Sequence, residues 1–463
     1  MTLAEIASVV DGEVDGDPGL TVLGPAFVDS RKVTEDGLFV AIAGERVDGH
    51  DYATAAVEGG AAAVLGSRAT GAPTVVVADP VVALGRLARH VVDEARPTVI
   101  ALTGSQGKTG TKDYLAHVLE GFGQTVATVG NLNNEIGVPL TSLGVTAHTT
   151  YLVAEMGARG IGHIRYLCEV APPQVAAVIN VGTAHLSEFG SREAIAVAKG
   201  EIVESLPGSG VAVLNADDDL TAAMSTRTAA RTLTFGASGD VRWRGVALDE
   251  LGRPSFDLGY DGAWFPVRLT QTGAHQVANA AAAAALAIAA GLPAGVVADR
   301  LSEATTASRW RMEVHERDDG LLVVNDAYNA NPASMAAAVD ALAAIGERRG
   351  RRTVAVLGEM LELGPTAADA HREVGRLVAA AHVGLLVTVG SAAAGIADGA
   401  EAASGWSGTA VRTAGRDEAL AVVRDNVAAA DVVLVKASRG AALEHIADGL
   451  LDAGPHERRA TPC

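Results

Sequence analysis

Between Gly104 and Lys112 the chain reads Gly-Ser-Gln-Gly-Lys-Thr-Gly-Thr-Lys. Backbone N–H groups in a glycine-rich turn that opens a helix form a cradle for an anion. Lys108 adds a point charge for the β- and γ-phosphates of ATP, and Thr109 a hydroxyl for Mg2+. Leu102 stands where the first glycine of G-x-x-x-x-G-K-T would be, so the spacing is the shorter G-x-x-G-K-T form. Gly104, Ser105, Gln106, Gly107, Lys108, Thr109 and Gly110 form the expected phosphate site. Of 36 basic residues only five are lysines, Lys32, Lys108, Lys112, Lys199 and Lys436. Such scarcity favours positions that need an amine, although a general arginine bias gives the same count.

Three further residues belong to the same chemistry. Glu155 ends the apolar run Tyr151–Glu155. Ligands of open parallel sheets sit outside the carboxyl ends of strands, and a carboxylate there suits Mg2+ or stands free in solvent. His185 follows the run Gln174–Val181 after Gly-Thr-Ala, which places it at the same edge. Lys199 lies in Ala-Val-Ala-Lys-Gly-Glu, on a helix otherwise facing a core. Read alone, such a lysine snorkels outward.

The elements that must position these groups alternate as short β-branched runs and alanine-rich helices, the signature of parallel βαβ units. Residues 1–96 offer a helix at Leu3–Val10, strands at Leu38–Ile42, Ala62–Leu65 and Thr74–Val77, and a helix at Val81–Glu94 before the break Arg96-Pro97. Residues 97–308 restart with the strand Thr98–Leu102 and continue with Tyr151–Glu155, Gln174–Val181 and Gly210–Leu214. Across 240–270 aromatic residues alternate with polar ones, as in antiparallel hairpins, and a long helix follows at His275–Ala290. Residues 309–463 repeat the alternation, with strands at Leu321–Asn325, Arg352–Leu357, Gly384–Val389 and Asp431–Lys436. The expected class is α/β in three domains.

A net charge of −19 over 463 residues argues against bulk nucleic-acid binding. It leaves room for one nucleotide held by a few aimed groups. The two cysteines, Cys168 and Cys463, make no disulfide framework or zinc cluster and suit a reducing cytoplasm. No basic leader precedes Val10, and the apolar run Ala280–Ala290 is too short to span a bilayer. A soluble chain with no membrane partner is the expectation.

Taken together, these motifs resemble the Mur ligases, the ATP-dependent amide-forming enzymes of peptidoglycan precursor synthesis. Asp29-Ser30-Arg31-Lys32-Val33, with Leu38–Ala41 and Asp48–Tyr52, looks like the family's UDP-sugar block. Gly130–Pro139 and Asn325–Ser334, together with Val356–Gly364 and Lys436–Gly440, resemble the forms carried by the member that adds a dipeptide. The resemblance implies a small α/β N-terminal domain for a UDP-muramoyl-peptide, a central P-loop-type mostly parallel ATPase domain, and a Rossmann-like C-terminal α/β domain for the dipeptide. It implies ligation of D-alanyl-D-alanine to UDP-N-acetylmuramoyl-tripeptide through an acyl phosphate, by a cytoplasmic monomer. The ligase adding the third stem-peptide residue is an alternative, as is a non-catalytic nucleotide-binding scaffold.

Residue by residue, the resemblance gives Thr109 and Glu155 to one Mg2+. It gives Glu155 and His185 to a second, with Lys199 carbamylated to complete that site. Asn279 would lie near the adenine and Arg309 near the nucleotide. Ser30, Arg31, Asn133, Asn134, Asp326, Tyr328, Asn329 and Asn331 would face the substrates. Gly110 departs from the family, which often has Thr or Ser there, and Glu359 replaces a more frequent Asp.

Overall fold

The computed structural model describes residues 1–44, 47–182, 189–305 and 308–452. Near the N-terminus, Thr2 caps the helix Leu3–Val10 in a capping box with Glu5. A five-stranded sheet follows, ordered β1-β5-β4-β3-β2, with β1 at Glu13–Asp15, β2 at Ala26–Phe27, β3 at Leu38–Val40, β4 at Ala63–Gly66 and β5 at Thr74–Val76. The helix Pro80–Ala95 starts on the Asp79 cap and stops at Arg96, which takes a left-handed φ of 53°.

The second sheet positions the site. It comprises β6 (Thr98–Thr103), β7 (Thr125–Ala127), β8 (Tyr151–Glu155), β9 (Val175–Val178), β10 (Val211–Asn215) and β11 (Arg231–Phe235). They lie in the order β11-β10-β9-β6-β8-β7 and pair in parallel throughout. From β6 the chain builds first toward β7 and β8, then crosses back to β9. The point where direction reverses is beside β6, where open parallel sheets leave a crevice. Both faces of β6 are covered. Ile100 and Leu102 enter one core with the helices Lys108–Glu120 and Gln276–Ala289, while Val99 and Ala101 enter another. Ala280 to Ala285 are fully buried, and their small side chains let the second helix pack closely on the first.

The aromatic stretch forms the antiparallel strands β12 (Arg242–Leu248), β13 (Pro254–Tyr260) and β14 (Ala263–Arg268). A further six-stranded sheet, ordered β15-β16-β20-β17-β18-β19, follows. Its strands are β15 (Glu313–Glu316), β16 (Leu322–Asn325), β17 (Thr353–Leu357), β18 (Leu385–Val389), β19 (Thr409–Thr413) and β20 (Val432–Lys436). Only β15 runs antiparallel there. Among the described residues no helix is long and apolar enough to cross a membrane.

Candidate active site

The turn Gly104–Gly107 leaves β6 and enters the helix Lys108–Glu120 through Gly107, whose φ of 75° a side chain tolerates poorly. Asn180 braces this turn. Its Oδ1 accepts the N–H groups of Ser105 and Gln106, both at 3.0 Å. That is why β9 stops at Val178 and not at Val181: past the strand, Asn180 turns its side chain onto the loop. The N–H groups of the helix's first turn have no intrahelical partner and remain for an anion.

Lys108 Nζ donates to the Gly104 carbonyl at 2.7 Å. Desolvation lowers its pKa; nearby Glu155 raises it and Arg311 lowers it further. Glu155 is the sheet partner of Leu102, two residues before the loop. It is 2% exposed, and Asn133 Nδ2 donates to its Oε1 at 2.8 Å. Its Oε2 is buried without a hydrogen-bond partner, an arrangement that fits a divalent cation and leaves a cost if none binds. Lys199 is also buried, contrary to the outward lysine expected from its local sequence. Burial, reinforced by Lys108, holds its amine well below the usual lysine range.

These groups line one cleft of about 810 Å3, together with Ser105, Gln106, Thr109, Asn134, Asn279, Asp326, Tyr328, Asn329 and Asn331. Asn279 packs against the phosphate loop. A Cβ at Gly107 would fall 2.4 Å from its Oδ1, and one at Gly110 2.9 Å from its Nδ2. A side chain at 110, where the sequence has glycine, would therefore have to displace the Asn279 amide. Asn331 accepts the N–H of Ser334 and caps the helix Pro332–Arg349, and Asn134 accepts the N–H of Gly137 at the start of the helix Gly137–Ser142; both also face the cleft. Asp326 receives Lys436 Nζ at 2.6 Å, and the same amine donates to the Asn329 carbonyl at 2.7 Å.

Other expected residues are not brought together. Arg309 is exposed, lies over the Trp310 ring and is not part of the cleft wall. The arginine that reaches the loop is Arg311: its Nη2 donates to Thr109 Oγ1 at 3.1 Å while its guanidinium stacks on Tyr328. Ser30 and Arg31 also lie outside the cleft lining, with Arg31 exposed and paired to Asp29 at 2.8 Å. His185 lies outside the described residues. Among the described residues no group of three His, Cys, Asp or Glu side chains converges as a metal site. Sequence reasoning missed Asn180 and Arg311; Asn180, the polar residue in an apolar strand-end run, carried a faint signal.

Family models described as Mur ligase family, catalytic domain, Mur ligase middle domain and Mur ligase, glutamate ligase domain match residues 27–99, 102–287 and 310–439. The chain belongs to the Mur ligase family. It is 44% identical to the UDP-N-acetylmuramoyl-tripeptide–D-alanyl-D-alanine ligase of Mycobacterium tuberculosis, covering 97% of this chain and 98% of that one. MurF from Acinetobacter baumannii superposes with a TM-score of 0.86 at 32% identity, over 98% of this chain and 99% of the other. MurF ligase from Thermotoga maritima, solved in complex with ADP, gives 0.78 at 31% identity over 92% and 96%. Within the Mur ligase family, then, this chain is an ATP-using ligase.

Proposed function

We propose that this Mur ligase joins D-alanyl-D-alanine to UDP-N-acetylmuramoyl-tripeptide in the cytoplasm, acting as a monomer. The observation that carries this reading is the cleft itself: Lys108, Thr109, Glu155 and Lys199 meet at the edge of the second sheet where it reverses direction. A carboxylate and an amine do not condense until the carboxylate is activated. In the proposed sequence the tripeptide's terminal carboxylate oxygen attacks the γ-phosphorus of ATP and ADP leaves. The dipeptide amine then attacks the acyl-phosphate carbon, loses a proton, and phosphate is expelled.

The first-turn N–H groups and Lys108 hold the phosphates, and Asn279 packs under the loop beside the adenine side. Asn133 steadies Glu155 and, with Asn134, presents amide groups to the muramoyl-peptide. Asp326, Tyr328, Asn329 and Asn331 face the cleft from the third part of the chain and are assigned to the dipeptide side, while Ser30 and Arg31 are assigned to the UDP moiety. The division of labour follows residues 1–96, 97–308 and 309–463. Arg311, and not Arg309, is assigned to the nucleotide.

Thr109, Glu155, His185 and Lys199 would hold two Mg2+. These ions supply charge neutralisation on the transferring phosphoryl group. Lys199 fits carbamylation because burial disfavours its charged form, and only the neutral amine can add to CO2. Its Nζ adds to the carbon of CO2, loses a proton, and becomes an anionic oxygen ligand. Purified protein supplied with ATP, UDP-muramoyl-tripeptide and D-alanyl-D-alanine should release phosphate in step with amide. Phosphate release with UDP-muramoyl-dipeptide plus diaminopimelate or lysine, and none with the first set, would overturn the assignment.

A further inference from the structure

The helix Arg192–Glu204 turns about 100° per residue, so Lys199, Gly200 and Glu201 face three different sides. Lys199 faces the cleft. We propose that the other two sides are a clamp, in which Glu201 and Arg227 are positioning residues that fix where the Lys199 amine stands. The inference rests on the assignment of Lys199 to the reaction made above.

Glu201 is only 1% exposed. Its Oε1 accepts the N–H of Gly162 at 2.6 Å and its Oε2 that of Arg165 at 3.1 Å. Those N–H groups belong to the start of the helix His163–Val170, entered through Gly162 at a φ of 93°. A carboxylate there meets unpaired donors and the positive end of the helix dipole. The segment leading into that helix comes straight from Glu155. Gly157 donates its N–H to the Asn133 carbonyl at 2.7 Å, and Asn133 in turn holds Glu155. Glu201 thus ties the helix bearing the lysine to the segment that follows the carboxylate.

Arg227 closes the third side. Nη1 and Nη2 donate to the carbonyls of Ala196 and Val197, each at 2.8 Å. Nε anchors on Glu204 Oε1 at 2.9 Å. The guanidinium lies so flat on the helix that a Cβ at Gly200 would fall 1.9 Å from Nη1. The carbonyls it grips lie in the turn that carries Lys199. A lysine that must present one atom to a shared ligand set needs its backbone held from behind, because its own four-carbon stem is flexible.

The test uses the full chain with Glu201→Gln, and with Arg227→Lys as a milder variant that keeps the charge but loses the fork. The kcat, the KM for ATP, the thermal midpoint and the 13C signal of a Lys199 carbamate in labelled bicarbonate are measured. The clamp predicts that kcat falls about tenfold or more while KM for ATP stays within about twofold, as for residues that orient a ligand. It also predicts a weaker carbamate signal and partial recovery of kcat at raised bicarbonate. Values of kcat and carbamate within about twofold of wild type in both variants would overturn it. So would a loss that merely follows the unfolded fraction. If the wild type ligates but shows no carbamate, the modified-lysine reading fails, and the split between kcat and KM alone decides the clamp.

Discussion

Lys108 and Lys199 are two amines in one cleft with different duties. Lys108 donates to a loop carbonyl; in the phosphate role proposed for it, Lys108→Ala should cut turnover at least about a hundredfold in a phosphate-release assay, and more than a tenth of wild-type activity would count against that role. For Lys199 the sign of the pH effect follows from its lowered pKa. On unfolding, the amine regains its ordinary affinity for protons, so stability is lost as pH falls from the usual lysine range toward the folded value. In CO2-free buffer, Lys199→Met should therefore melt higher than wild type at pH about 7, the gap closing toward pH about 10.4. A variant melting lower at neutral pH contradicts this, and scanning fluorimetry decides. The scarcity of lysine and the spacing of the glycines made these residues legible. The choice between Arg309 and Arg311 was not, since two arginines flanking one tryptophan have no pattern that says which turns inward.

Among elements, the strands of the three parallel-type sheets that sequence reading found are the interior ones, where residues buried on both faces must be apolar, while the exposed hairpin strands β12 and β14 showed instead through their aromatic–polar alternation. All six strands it missed, β1, β2, β7, β11, β15 and β19, are edges of their sheets. An edge strand is half-solvated and can be short and polar, so Glu13–Asp15 or Glu313–Glu316 carries no apolar run to read. The site was legible because it hangs on β6 and β8, both interior. Its fine support was not, since Asn180 acts through close approach to a loop that only the folded chain brings near, and the sequence singled out Asn279 without showing that it packs against that loop. The loop's tolerance can be tested at Gly107, where a positive φ and the 2.4 Å approach to Asn279 coincide. Gly107→Ala should lower stability by about 1–3 kcal/mol and weaken ADP binding, measured by denaturant titration and calorimetry. Unchanged values for both would show that the loop is not held as described.

At the scale of the molecule, the proposed division of labour would have three parts of the chain bring their ligands to one cleft, yet residues 1–104 contribute nothing to its lining. Arg311 and Tyr328 already pin the start of the last part to Thr109 in the phosphate loop. If residues 1–96 hold the UDP-substrate as proposed, closure with hinges near Arg96-Pro97 and Ser308–Arg311 is the expected way to bring it in. Small-angle scattering should show a smaller radius of gyration with ATP and UDP-muramoyl-tripeptide together than with neither; no change would count against closure. Oxygen labelling tests most directly whether this cleft activates a carboxylate by phosphorylating it. With 18O in the tripeptide's terminal carboxylate, each phosphate released during ligation should carry one labelled oxygen. Ligation that yields unlabelled phosphate would contradict the account.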